Sequence, residues 1–514
     1  MNHSSRLTCE HPHIRTRRFA TLSFLAILCA SGSFCAAPPV GQWDRFEATL
    51  SNPRRYTDPF HDVTLNATYI RPDGSPVRFW GFYDGGTTWR LRFMPDQLGT
   101  WRYTAAFSDD SPGVAGSFEC TTSSLPGMIS KDETNPMWFG FQGGRHVLIR
   151  CLHVGDRFFA SNWPDEKRTA FLDWAQKQGY NMLSIASHYL NRDVAGRGRG
   201  WNTPKLWPLD PADYRKAERI LDDLARRRIM VFPFAGFFGQ SSQYPRDPHD
   251  QDTYIHYTLA RFGPYWNVLY NVAGPEPNVG NAWMSSDEVE RLGTTIRRLD
   301  IFAHLLSVHN RTGDDPCRDS LWTNYGILQG PKTTDRAKLS QGLLRNHHPE
   351  KPLLAQETLW SNNKNHPRYG DADIRKNAYV MNMCAAALCF GDMNGDSSSG
   401  FSGSMELSER NQKHHDVVKA VWDFFETIPF YRLKPRPDLV HTGYCLAEEG
   451  AQYLVYLESR GSVNMGLAPG TYGVEWINAQ NTANRRRGQS TRSGQDLASP
   501  AGGDDWLLHL VRQP

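Results

Sequence analysis

The chain lacks the signatures of several hydrolase and cofactor-binding classes. It has no G-x-S-x-G turn and no H-E-x-x-H helix, so serine-hydrolase and zincin chemistry are without their residues. No G-x-G-x-x-G follows a strand, which argues against a dinucleotide site in an open doubly wound sheet. Charge of one sign is scarce: 57 Lys and Arg face 54 Asp and Glu, and Arg485-Arg486-Arg487 is too short a run to give nucleic acid an electrostatic footing. Asp392, Asn394 and Asp396 open like a calcium loop, but Gly395 comes too early and Gly403 stands where the closing Glu belongs. No metal or cofactor is expected.

Long apolar runs are missing as well. Phe19 to Ala30 is too short to span a bilayer comfortably; it follows Arg15, Arg17 and Arg18 and precedes small residues ending at Ala37. Residues 1–37 therefore read as an export signal, and the mature protein as secreted or periplasmic with no membrane span. Beyond that leader, Cys120, Cys151, Cys317, Cys384, Cys389 and Cys445 show no C-x-x-C spacing and no disulfide framework, so most read as small buried residues.

What is present divides the chain into three parts after the leader. Across 38–125 the periodicity is two: Trp89, Leu91 and Phe93 alternate with Thr88, Arg90 and Arg92, and Trp101, Tyr103 and Ala105 repeat the pattern after a turn at 95–99. This predicts a small β-sandwich. Across 126–429 strands alternate with helices. Expected strands are 146–153, 181–187, 229–235, 266–272, 304–309, 320–325, 351–356 and 385–391, with helices over 166–178, 211–227 and 411–427. Eight such steps predict an α/β fold of the (β/α)8 TIM-barrel type. In the last helix Val417, Val418, Val421, Phe424 and Phe425 form a core-facing stripe. Across 430–514 the alternation returns, predicting a small C-terminal β-domain with a loop over 485–505.

Two carboxylates draw the chemistry together. Glu357 closes the seventh expected strand, and Glu276 lies just past the fourth, between Pro275 and Pro277. Strands four and seven oppose each other in an eight-strand ring, so both side chains can reach the mouth. Cleavage of a glycosidic bond with retention needs an acid for the leaving oxygen and a nucleophilic carboxylate about 5–5.5 Å away. Glu276 is assigned as acid/base and Glu357 as nucleophile. A Glu after each of these strands resembles the large clan of retaining (β/α)8 glycoside hydrolases.

More narrowly, four segments resemble one bacterial group: Gly41-Gln-Trp-Asp-Arg-Phe-Glu47, Phe93-Met-Pro-Asp-Gln-Leu-Gly-Thr-Trp101, residues 391–404, and Val421-Trp-Asp-Phe-Phe-Glu-Thr-Ile-Pro429. In that group a DUF5060-type β-sandwich precedes an apiosidase-like (DUF4038-type) barrel and a C-terminal domain labelled collagen-binding. The resemblance implies an exported glycosidase acting on a polysaccharide or oligosaccharide. It departs at one point: the clan carries Asn immediately before its acid Glu, to bind the neighbouring sugar hydroxyl, whereas this chain has Pro275 there, with Asn271 and Asn278 nearby.

Further residues at expected strand ends are candidates for substrate contact: His153, His188, Asn271, His309, Asn310, Tyr325 and Trp360, with Trp201 as a stacking platform in the long loop after strand two. Long loops after strands one to three would close the mouth into a pocket, favouring exo action on a plant or algal polysaccharide or its side chains. Arg192, Arg197 and Arg199 leave an acidic glycan open. The rival readings are a non-catalytic carbohydrate- or collagen/matrix-binding protein on the same scaffold, and a polysaccharide lyase.

Overall fold

The computed structural model describes residues 38–154, 158, 164–185, 206–234, 236–239, 244–279, 282–363, 365–392 and 409–514. The expected leader lies outside these residues. So do His188, Trp201, Arg192, Arg197 and Arg199, together with Asn394, Asp396 and Gly403.

An N-terminal β-rich domain opens the chain. A five-stranded sheet, ordered Val40–Gly41, Val114–Thr121, Gly99–Phe107, Leu65–Ile70 and Pro76–Trp80, accompanies a three-stranded sheet of Phe46–Ser51, Thr88–Phe93 and Phe82–Tyr83. Alternation places Trp101, Tyr103, Ala105 and Phe107 in the core. Between the two sheets Phe46 stacks on Phe118 at 4.1 Å and Tyr69 on Phe93 at 4.1 Å.

The middle of the chain supplies β1 (Cys151–Val154), α1 (Asp165–Lys177), β2 (Met182–Ile185), α2 (Pro211–Arg226), β3 (Met230–Pro233), α3 (Pro248–Phe262), β4 (Tyr270–Asn271), α4 (Ser286–Leu299), β5 (Leu306–Ser307), β6 (Gly326–Gln329), α5 (Arg336–Asn346), β7 (Leu353–Ser361), α6 (Asp371–Met383), β8 (Ala386–Asp392) and α7 (Glu409–Phe425). Local signals start these helices where they begin. Asp210 and Asp247 cap α2 and α3 ahead of a first-turn proline, and Ser285 with Glu288 forms a capping box on α4. Six strands form one parallel sheet in the order β3-β2-β1-β8-β7-β6, and β4 pairs parallel with β5.

Backbone bonds flank the shorter sheet on both sides. Val231 N donates to Asn267 O at 2.7 Å beside β3, and Asn324 N donates to Leu306 O at 3.1 Å ahead of β6. Each strand of the six-stranded sheet divides its side chains between two cores. Leu152, Leu183 and Val231 pack with the helices, whereas Cys151, Met182, Met230, Leu354 and Cys389 belong to the core on the other face.

Several element boundaries differ from expectation. The sixth strand is Gly326–Gln329, not 320–325, because Lys351 Nζ donates to Arg318 O, Ser320 O and Thr323 Oγ1 at 2.6, 3.0 and 2.9 Å and holds that segment in a turn. The fourth and fifth strands shrink to two residues each. The seventh continues to Ser361, since Leu359 and Trp360 extend its apolar run, and its register with β8 shifts between Ala355 and Leu359. In α7 the expected stripe is buried at Val418, Val421, Phe424 and Phe425, with Val417 half-buried.

A C-terminal six-stranded antiparallel sheet ends the chain, in the order Lys434–Pro435, Tyr444–Glu448, Gln452–Leu457, Trp506–Arg512, Tyr472–Asn478 and Arg485–Arg487. The expected loop over 485–505 thus contains an edge strand, whose exposed arginines pair by backbone with Tyr472–Asn478. No helix among the described residues is long and apolar enough to cross a membrane.

Candidate active site

Glu357 sits at the register shift inside β7, with φ of 50°. Left-handed backbone at a non-glycine residue costs energy and persists only where its surroundings hold it. Thr358 helps to hold it by donating to Gly330 O at 3.3 Å. Glu276 also has a left-handed backbone, φ 54°, and its N–H donates to His309 O at 2.8 Å. The loops after β3 and β4 support Glu276 by packing backbone against backbone. A Cβ on Gly236 would meet Asn271 O at 2.4 Å and Gly274 N at 2.5 Å, so only glycine fits there.

The two carboxyls share partners from the segment after β6. Gln329 Nε2 donates to Glu357 Oε2, and Lys332 Nζ lies 3.8 Å from the same oxygen. Burial raises the Glu357 carboxyl above its ordinary value of 4.5; Lys332 and Gln329 pull it down and the charge of Glu276 pushes it up. Burial also raises Glu276, which is half-buried, against the pull of Gln329 and Lys332. Carboxyls that answer to one lysine and one glutamine converge on one space.

Three imidazoles border that space. His153, His309 and His366 are each pushed down to about 3, by burial first, to which the charge of Lys332 adds at His309 and His366, and so stay neutral at ordinary pH. Phe234 lies edge-on to His153 and His309 at 5.5 and 4.7 Å, and His366 lies parallel to Trp360 at 5.8 Å. His153 Nδ1 meets Ser184 Oγ at 3.1 Å and Gln356 Nε2 at 3.0 Å. Several buried polar atoms here have no partner among the described residues: His153 Nε2, both ring nitrogens of His309 and of His366, and Gln356 Oε1. Buried polar atoms left open around a space are suited to a ligand rich in hydroxyl groups. Among the described residues no cluster of three or more His, Cys, Asp or Glu could hold a metal ion.

The structure thus brings Glu276, Glu357, His153, His309 and Trp360 together, and engages three other expected contacts in scaffold bonds. Asn271 is fully buried and spent on scaffold: its Nδ2 donates to Phe234 O, and its Oδ1 accepts from His309 N at 2.9 Å. Asn310 donates to Asn278 Oδ1 at 3.0 Å and so ties two loops. Tyr325 precedes β6, at the end remote from Gln329, and its buried hydroxyl donates to Tyr270 O at 3.0 Å. That placement follows directly from the displaced sixth strand.

Sequence reasoning missed Lys332, Gln329, Gln356 and His366. The first two carried a signal, since Gly330-Pro331 marks a turn straight after a short apolar run that Gln329 closes. His366 carried none.

Residues 39–108 match the model of a domain of unknown function, DUF5060. No curated protein matches the chain. Among solved structures, a protein of Bacteroides vulgatus ATCC 8482 provisionally named a glycoside hydrolase has 17% identity and a TM-score of 0.72, over 93% of this chain and 100% of that one. A family 5 glycoside hydrolase from the same organism has 15% identity and a TM-score of 0.57, over 76% and 96%. A further glycoside hydrolase has 13% identity and a TM-score of 0.58, over 76% and 99%. At these identities the likeness concerns the fold alone: this chain carries a mixed α/β fold, with a parallel half-barrel sheet and an N-terminal β-rich domain, similar to that of glycoside hydrolases.

Proposed function

We propose that the protein is an exported retaining glycoside hydrolase, exo-acting on a plant or algal polysaccharide or its side chains. In this reading the six-stranded and two-stranded sheets are arcs of one (β/α)8 barrel spanning 126–429, between a β-sandwich at 38–125 and a C-terminal β-domain at 430–514. The observation that carries it is the convergence of Glu276 and Glu357 on Gln329 and Lys332, among neutral imidazoles with open hydrogen-bonding atoms.

Glu276 gives its proton to the glycosidic oxygen as Glu357 attacks the anomeric carbon, and the bond to the leaving group breaks. Glu276, now a carboxylate, takes a proton from water, whose oxygen displaces Glu357 from the anomeric carbon. Gln329, which donates to Oε2 of Glu357, and Lys332, whose ammonium faces the same oxygen, leave the other oxygen for attack. The exo preference rests on the length of the loops in the sequence.

A second reading, a carbohydrate-binding protein without turnover, is favoured by Pro275, which occupies the position of the clan's asparagine. Assay of Glu357→Gln against the native protein on a glycan panel tests both. Hydrolysis with retained anomeric configuration, lost in the variant, is expected. Unaltered turnover removes Glu357 as nucleophile; tight glycan binding without any hydrolysis by the native protein selects the second reading.

A further inference from the structure

Glu357 poses an electrostatic problem that the carboxylate pair cannot solve by itself. Its side chain is 3% exposed, and a buried carboxylate without a counter-charge takes up a proton instead of staying ionised. A nucleophile must be ionised. Were the half-buried Glu276 ionised as well, its negative charge would raise the cost of ionising Glu357 further.

The groups facing Glu357 come from several elements. Gln329, at the end of β6, contributes an amide and no charge. His153, from β1, and His309, after β5, are neutral, as is His366 after β7. Cys389, on β8, is held as a neutral thiol, its acidity suppressed by burial. Lys332 remains, three residues past β6, with its ammonium 3.8 Å from Glu357 Oε2 and only 20% of its side chain exposed.

We propose that Lys332 is a positioning residue for the carboxylate pair: its ammonium keeps the buried Glu357 carboxyl ionised while Glu276 retains its proton, so that the pair carries one negative charge. Gln329 sets the orientation of the carboxylate and Lys332 sets its charge. The inference rests on the reading of the pair as catalytic only where it concerns turnover; the charge coupling exists whatever the site does.

The test therefore has two arms. In the first, thermal stability is followed from pH 4 to 8 for the native protein, Lys332→Met and Lys332→Arg, each also in Glu357→Gln and Glu276→Gln backgrounds. The Glu357 carboxyl, raised in the folded state, favours folding below its ordinary value of 4.5 and loses that contribution as pH rises through the folded value. Removing Lys332 raises it further. Lys332→Met should thus match the native protein near pH 4 and fall progressively behind it toward pH 8, with Lys332→Arg restoring most of the loss. In the Glu357→Gln background the pH-dependent part should shrink to the smaller share that Lys332 exerts through Glu276, and most of it should persist with Glu276→Gln.

A loss of stability in Lys332→Met that is independent of pH, or that survives Glu357→Gln undiminished, overturns the proposal. If Lys332→Met does not fold, Lys332→Gln takes its place in the same series. In the second arm, the acid limb of kcat/KM should move up by about 1–3 pH units in Lys332→Met. An unmoved limb also overturns the proposal. If no glycan is turned over by the native protein, the catalytic reading fails and the stability arm still decides the role of Lys332.

Discussion

Arg92, in the N-terminal sheet, donates to the Glu218 carboxylate on α2 at 2.8 Å, and both side chains are less than a tenth exposed. Glu218 also takes Arg261 of α3 at 2.6 Å, and Arg261 reaches back to Asp84 of the N-terminal domain at 3.0 Å. Buried charges survive when each has an opposite partner and its hydrogen bonds are met, and here the pairs alternate across the seam. This charge chain couples the N-terminal domain to the helices that carry the loops behind Glu276.

Breaking one link should therefore destabilise both sides together. Arg92→Leu leaves Glu218 short of a partner and should cost about 3–5 kcal/mol in chemical denaturation, with both regions unfolding in one transition. Burial pushes Glu218 up, yet Arg92 and Arg261 outweigh it and hold the carboxyl below its ordinary value. A lowered carboxyl stabilises above its unfolded value and loses that contribution as pH falls, so the native protein should weaken toward pH 3. The variant should weaken less steeply there.

The C-terminal sheet has its own anchor. Asp505, fully buried, accepts two bonds from Arg375 of α6 at 3.0 Å each and one from Tyr456 at 2.9 Å. Asp505→Ala leaves the guanidinium unmatched and should cost about 3–5 kcal/mol by the same reasoning. Asp505→Asn, which keeps one acceptor oxygen, should cost less. Urea unfolding of the two variants checks the order.

How much of this was legible in the sequence depends on which force places each residue. The alternation at Trp101, Tyr103 and Ala105 and the stripe at Val418, Val421 and Phe425 are local patterns, and burial follows them. The carboxylate pair was legible from its spacing after two apolar segments. Strand six was not, because Leu321 and Trp322 look as apolar as Ile327 and Leu328, and only the distant Lys351 amine turns the first segment aside. That displacement hid Gln329 and Lys332 and misplaced Tyr325. The strained backbone of Glu357 comes from a register shift against β8, a tertiary relation that no spacing in Lys351–Glu357 encodes.

The open imidazoles should act as neutral hydrogen-bonding groups across the working range. Both nitrogens of His366 are buried and without a partner among the described residues, and its ring is held neutral down to about 3. His366→Ala should lower kcat/KM by about tenfold, the worth of one good hydrogen bond. The shape of the profile between pH 5 and 8 should not change, because the ring does not titrate there. A limb near 6.5 in the native protein, lost in the variant, would instead mark His366 as an ionising group.

Under the proposed reading, in which Glu276 is the acid, that residue makes the sharpest demand on kinetics. An acid catalyst matters in proportion to how badly the departing oxygen needs a proton, and burial holds the proton on Glu276 above the ordinary carboxyl range. Activity should fall on the alkaline side as that proton is lost. Glu276→Gln keeps the shape and removes the acid, so hydrolysis of glycosides with poorly departing sugar alcohols should slow by about 10²–10⁴-fold. Aryl glycosides whose phenolate leaves unaided should lose far less in the bond-breaking step, and the alkaline limb should disappear with them. Measuring kcat/KM against pH for both leaving groups decides the matter: an equal loss on the two would mean that Glu276 supports the site without donating the proton, and that another group supplies the acid.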